Sequence, residues 1–109
     1  MNTITILGSG TSTGIPMIGC HCEVCSSSFE KNKRLRTSIL IQTEKGHFIL
    51  VDTTPDLRFQ FLKNKIEHID GVIITHEHAD HLHGIDDLRP LNFGPKGKDI
   101  PLYTYGECA

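Results

Sequence analysis

Between Thr75 and Gly84 the chain reads THEHADHLHG, and His76, His78, Asp80 and His81 within it carry side chains that ligate divalent metals. Imidazole and carboxylate donors suit zinc, manganese or iron. In an extended segment, residues two apart project to the same side, so His76 and His78 can converge on one ion. Asp80 and His81 follow where the chain must turn, and can address a second ion on the neighbouring side. Two ions about 3.5–4 Å apart can make a nucleophile of water at neutral pH and clamp the attacking and leaving oxygens of a hydrolysis. A zinc-binding helix of the type His-Glu-x-x-His is excluded, because the fifth position counted from His76 is Asp80 and the preceding run is apolar. The plain alternative is a solvated histidine-rich loop with no role.

A second constellation is Cys20, Cys22 and Cys25, spaced C-x-C-x-x-C. Three thiols so close point to a structural zinc site, which is tetrahedral and needs a fourth ligand. His21 and Cys108 are candidates, although His21 sits awkwardly between two ligands. A redox role for Cys22 and Cys25 lacks a thioredoxin-like context. Unliganded thiols are the plain alternative.

These residues need elements to hold them. Residues 2–8 (NTITILG) alternate as a first strand, and residues 36–43 (RTSILIQT) and 47–52 (HFILVD) read as a hairpin closed by a tight turn. Pro55 near the start of residues 54–65 favours a helix. Residues 70–76 (DGVIITH) read as a buried strand that delivers the histidines, at the strand end where α/β sheets carry function. A short helix over 84–91 stopped near Pro90, a loop over 92–101 and a last strand over 101–106 complete the reading. Strands first and then strand–helix–strand predict an α/β domain in layers, with a mixed β-sheet and flanking helices.

With 109 residues and 38% hydrophobic side chains, one globular domain is expected. The formal charge of −2 argues against a field that gathers nucleic acid or anionic membrane. No signal peptide and no apolar run near the ~20 residues of a membrane span stands in the sequence, so the cytoplasm is the expected compartment. The basic run KNKRLR, Lys31 to Arg36, reads as a solvated face before a phosphate contact. GSGTSTG lacks the Lys of a phosphate-binding P-loop and reads as a tight turn near the site. Arg89 is expected to pair with Asp86 sooner than with a phosphate oxygen, and His83 to be structural.

His-x-His-x-Asp-His after an apolar strand resembles the signature of the metallo-β-lactamase superfamily of hydrolases. The resemblance assigns His76 and His78 to one ion and Asp80 and His81 to the second, with Asp80 also in reach of orienting the water. ILVDTTPD resembles the family's strand ending in Asp, so Asp52 would orient the ligands from behind; its bland role would be a helix cap or turn residue. GSGTSTGIPMIGCHCEVC and HADHLHGIDDLRPLN resemble the PhnP-like, cyclic phosphate phosphodiesterase branch, in which the cysteine trio binds structural zinc with a downstream histidine. The resemblance implies the N-terminal half of an αββα sandwich, with residues 1–109 as a single incomplete domain. It also implies two zinc or manganese ions, one structural zinc, and a small phosphodiester or cyclic phosphate as substrate, with a homodimer as an open assembly. Later ligands of the family have no match here: Asp86, Asp87, Asp99 and Glu107 stand in no corresponding motif. Each ion would then hold two protein ligands. The rival readings are a non-catalytic truncated metal-binding fragment, and a nuclease akin to tRNA 3′-end processing enzymes.

Overall fold

The computed structural model describes residues 1–93 and 97–104. Five strands form one mixed sheet in sequence order: β1 (Thr3–Gly8), β2 (Ser38–Gln42), β3 (Phe48–Val51), β4 (Gly71–Ile73) and β5 (Leu102–Tyr103). β2 pairs antiparallel with both β1 and β3, whereas β4 pairs parallel with both β3 and β5. The β2–β3 hairpin closes as expected, with Thr43 N–H donating to the His47 carbonyl at 2.9 Å and Gly46 at φ 84° taking the left-handed position that favours glycine. Parallel neighbours need crossovers. Helix α1 (Leu57–Asn64) links β3 to β4, and α2 (Ala79–Leu82), a 3₁₀ turn (Ile85–Leu88) and α3 (Arg89–Phe93) link β4 to β5.

Register decides which side chains share a face. Leu40 lies opposite Leu50, and Leu50 opposite Val72, so this row points to one side of the sheet. There it meets Leu57 and Phe61 of α1, together with Leu7, Ile69, Ile74 and Leu88, in one buried cluster. Each such side chain contributes about 1.5–3 kcal/mol on burial. The opposite face is also apolar: Ile6, Ile39, Val51, Ile73 and Tyr103 align across all five strands, and Ile6 is 68% exposed. α1 ends at Lys65, whose φ of 55° turns the chain left-handed while its N–H returns to Leu62.

Several boundaries differ from expectation. The strand expected over 70–76 keeps ladder geometry only through Gly71–Ile73, because the chain leaves the sheet before the histidines. The helix expected over 54–65 begins at Leu57; the Asp56 carboxylate pairs with Arg36 instead of capping it. Pro90 does not stop the helix over 84–91. It sits in the first turn of α3, where a missing N–H leaves no bond unmade. α2, over the end of the histidine motif, is a helix not foreseen. The last strand is described as Leu102–Tyr103; Tyr105, Glu107 and Cys108 lie outside the described residues. No described helix is long and apolar enough to cross a membrane.

Candidate metal centre

The parallel pair β3–β4 sets the site. Val51 aligns with Ile73, so Asp52 and Thr75 emerge from the same edge of the sheet. The Asp52 N–H still bonds the Ile73 carbonyl at 2.8 Å. Its φ of 68° then turns the backbone out of the ladder, a left-handed conformation that Asp tolerates better than most residues. That turn directs a buried carboxylate at the motif segment. Asp52 Oδ1 accepts the Thr75 N–H at 2.7 Å. The Thr75 hydroxyl lies 3.0 and 2.8 Å from the two Asp52 oxygens. His81 Nδ1 lies 2.6 Å from Asp52 Oδ2. Asp52 is neither a helix cap nor a simple turn residue.

Three further bonds fasten the segment. Thr53 N–H donates to the His81 carbonyl at 2.9 Å, the Thr53 hydroxyl to the Leu82 carbonyl at 3.0 Å, and Gly84 N–H to the Thr53 carbonyl at 3.0 Å. Gly84 is a close approach of two backbones: a Cβ there would fall 1.6 Å from the Thr54 carbonyl oxygen. Thr53, Thr75 and Gly84 were not singled out from sequence. Their only local sign is that polar and small residues flank the ends of two apolar strands.

Two pairs of histidine rings meet, but no three ligand atoms of His76, His78, Asp80 and His81 all lie within 4.8 Å of one another. Ring centroids of His76 and His78 are 4.6 Å apart, and those of His76 and His81 are 4.1 Å apart. His78 is exposed, while His76, Asp80 and His81 are half-buried. His81 Nε2 and Asp80 Oδ2 stand 3.0 Å apart. Two donors on one tetrahedral ion at about 2.0–2.1 Å each would be roughly 3.3 Å apart, so this pair has the bite for a metal. His81 Nδ1, facing an acceptor-only carboxylate, carries a hydrogen. A proton or a cation between His81 Nε2 and Asp80 satisfies both; two bare lone pairs would repel. His81 lies against His76 with the two rings tilted 47° to each other, as well as facing Asp80. His83 is exposed, and Arg89 pairs with Asp86 at 3.3 Å as expected.

Among the described residues, the Cys20, Cys22 and Cys25 thiols form the group whose ligand atoms all lie within 4.8 Å of one another. Tetrahedral zinc–thiolate geometry needs sulfurs about 3.8 Å apart, a spacing inside that limit. The Cys25 N–H donates to Cys22 Sγ at 3.4 Å. That bond and the neighbouring Cys20 and Cys25 thiols lower the Cys22 thiol to about 7. Cys20 is raised: the Cys22 backbone lowers it, but bonding to the Cys25 and Cys22 thiols outweighs that. All three are free thiols, and no disulfide forms among them. His21 is exposed, and Cys108 lies outside the described residues.

The basic run is not simply solvated. Arg34 donates to Ser9 Oγ at 2.8 Å, and Arg36 bonds the Ser12 carbonyl at 3.1 Å and Asp56 at 2.8 Å. These arginines tie the glycine-rich loop to the start of α1. Within that loop Gly14 N–H donates to the Thr11 carbonyl at 2.9 Å, the expected tight turn.

A solved diphosphatase of the PhnP family superposes with a TM-score of 0.89 at 50% identity, covering 94% of this chain and 41% of that one. Zinc-bound PqqB from Methylobacterium extorquens superposes with a TM-score of 0.75 at 22% identity, a likeness of fold. In sequence, the coenzyme PQQ synthesis protein B of Rhodopseudomonas palustris (strain TIE-1) is 30% identical over 117 residues, covering 96% of this chain and 36% of that protein. A Porphyromonas gingivalis (strain ATCC BAA-308 / W83) protein named octanoyltransferase is 55% identical over 86 residues, but the match spans 18% of its length. The chain thus spans less than half the length of these relatives. A model described as the beta-lactamase superfamily domain matches residues 47–108, which hold Asp52 and the whole histidine motif, and the chain belongs to that superfamily.

Proposed function

We propose that the chain carries the metal-binding half-site of a phosphodiesterase-type hydrolase. His76 and His78 hold one divalent ion, Asp80 and His81 the second, and Cys20, Cys22 and Cys25 a structural zinc. The observation that carries this reading is His81. Its Nδ1 is committed to Asp52 at 2.6 Å while its Nε2 faces the Asp80 carboxylate at 3.0 Å, an arrangement a cation between them completes. Two bound zinc or manganese ions supply Lewis acidity toward the phosphoryl oxygens and a nucleophilic water at neutral pH. The protein's part is orientation. Asp52 fixes the ring of His81, and the bonds from Thr53 and Gly84 hold α2 against the strand end. The cytoplasm is the compartment we assign, with a small phosphodiester or cyclic phosphate as substrate.

The 50% identity to a PhnP-family diphosphatase favours a second reading, cleavage of a diphosphate bond at the same site. Metal counting, with hydrolysis of bis-p-nitrophenyl phosphate against a dinucleoside diphosphate under added Mn²⁺ or Zn²⁺, separates the two. Turnover of the first substrate, lost in His78→Ala, supports the phosphodiesterase; turnover of the second alone supports the diphosphatase. One thiolate-bound ion and no turnover of either sinks both and leaves a metal-binding fragment.

A further inference from the structure

We propose that Thr75 is a positioning residue that selects the metal-binding nitrogen of His76, resting on the reading of His76 as a ligand. The Thr75 hydroxyl carries one hydrogen and lies within reach of three acceptor or donor atoms: Asp52 Oδ1 at 3.0 Å, Asp52 Oδ2 at 2.8 Å and His76 Nδ1 at 2.9 Å. A carboxylate has only lone pairs to offer, so the hydroxyl hydrogen points at Asp52. The oxygen then presents its lone pairs to His76, and His76 Nδ1 must be the donor. The hydrogen on His76 is therefore fixed at Nδ1, and the lone pair at Nε2.

Asp52 consequently orders two imidazoles. It holds His81 directly, through Nδ1 at 2.6 Å, and His76 through one intervening hydroxyl. His76 Nε2 keeps its lone pair, His81 Nε2 faces Asp80 at 3.0 Å, and the two ring centroids are 4.1 Å apart. The Thr75 N–H is bound independently to Asp52 Oδ1 at 2.7 Å, which fixes the hydroxyl's position without depending on it. A methyl in place of the hydroxyl would keep that backbone bond and the shape of the residue, and remove only the relay.

Thr75 is exposed, so Thr75→Val is compatible with folding. The test is the ring tautomer of His76 in the metal-free protein, read from long-range ¹H–¹⁵N correlations, together with zinc affinity at the histidine cluster by chelator competition with the cysteine site saturated. Thr75→Val is expected to raise the Nε2–H form of His76, leave His81 unchanged, and weaken zinc binding about tenfold. Thr75→Ser, which restores the hydroxyl, is expected to restore both. An unchanged His76 tautomer in Thr75→Val, or no rescue by Thr75→Ser, overturns the proposal. His76→Ala is the separate control: unchanged zinc binding there would remove the ligand reading, while the tautomer measurement would still decide the relay.

Discussion

His81 Nδ1 lies 2.6 Å from Asp52 Oδ2, joining a side chain on the short helix α2 to one at the end of β3. The carboxylate is buried and accepts from Thr75 as well. Asp52→Ala strands these donors and is expected to cost about 3 kcal/mol in urea unfolding. Asp52→Asn keeps the size and the tolerance for a left-handed backbone, and should cost less. Either change is expected to lower zinc affinity at the histidine cluster about 10–100-fold, measured by chelator competition.

Gly84→Ala is expected to be among the most damaging single-methyl additions in the chain. The new Cβ would sit 1.6 Å from a backbone oxygen, and neither Thr54 nor Gly84 can move without breaking the Gly84 N–H bond to Thr53. A loss of at least about 3 kcal/mol is expected. Gly46→Ala is the contrast: nothing lies within 4 Å of its Cβ, and only the φ of 84° resists. About 1 kcal/mol is expected there. Equal losses in the two variants would disprove the backbone-contact argument.

Acid stability should depend on Asp70. Lys98 beside it, with the Phe48 N–H and His68, holds its carboxyl well below the usual carboxylate range, against the opposing effect of burial. A carboxyl depressed in the folded state binds its proton later than in the unfolded chain. Its contribution is therefore complete above the unfolded value near 3.9 and is lost as pH falls below that value toward the folded one. Asp70→Asn should flatten the urea midpoint across this acidic window relative to the parent. A parallel decline in both proteins would contradict this.

Metal removal should separate the two sites. Cobalt(II) added to the metal-free protein is expected to give thiolate-to-metal absorption that Cys22→Ser abolishes and His78→Ala leaves intact. Loading should also protect Cys20, Cys22 and Cys25 from alkylation, detected by mass spectrometry. Alkylation unaffected by cobalt would exclude the trio as a ligand set.

The histidine motif was legible because its imidazoles and carboxylate lie within a few residues, so spacing alone limits where they can point. The cysteine trio was legible for the same reason, and the β2–β3 hairpin because its turn is local. Asp52 was visible as an acid ending an apolar strand. Thr53, Thr75 and Gly84 were not, because each acts across the junction of two strands separated by the α1 crossover, and neither periodicity nor spacing encodes that neighbour. α2 escaped notice because four residues are too few for a helical pattern. Pro90 misled because a helix start accepts proline and a helix interior does not, and the 3₁₀ turn before it shifted that start.

The parallel register of β3 and β4 also has a consequence in time. Asp52 and Thr75 meet only after the intervening chain has looped around and Val51 has settled beside Ile73. Such non-local pairing forms slowly compared with a hairpin or a helical turn. During folding, the chain therefore carries the histidines and aspartate of the motif before it carries their orientation. On the proposed reading, a metal offered early would meet flexible imidazoles, and one offered after the strands have paired would meet rings already aimed.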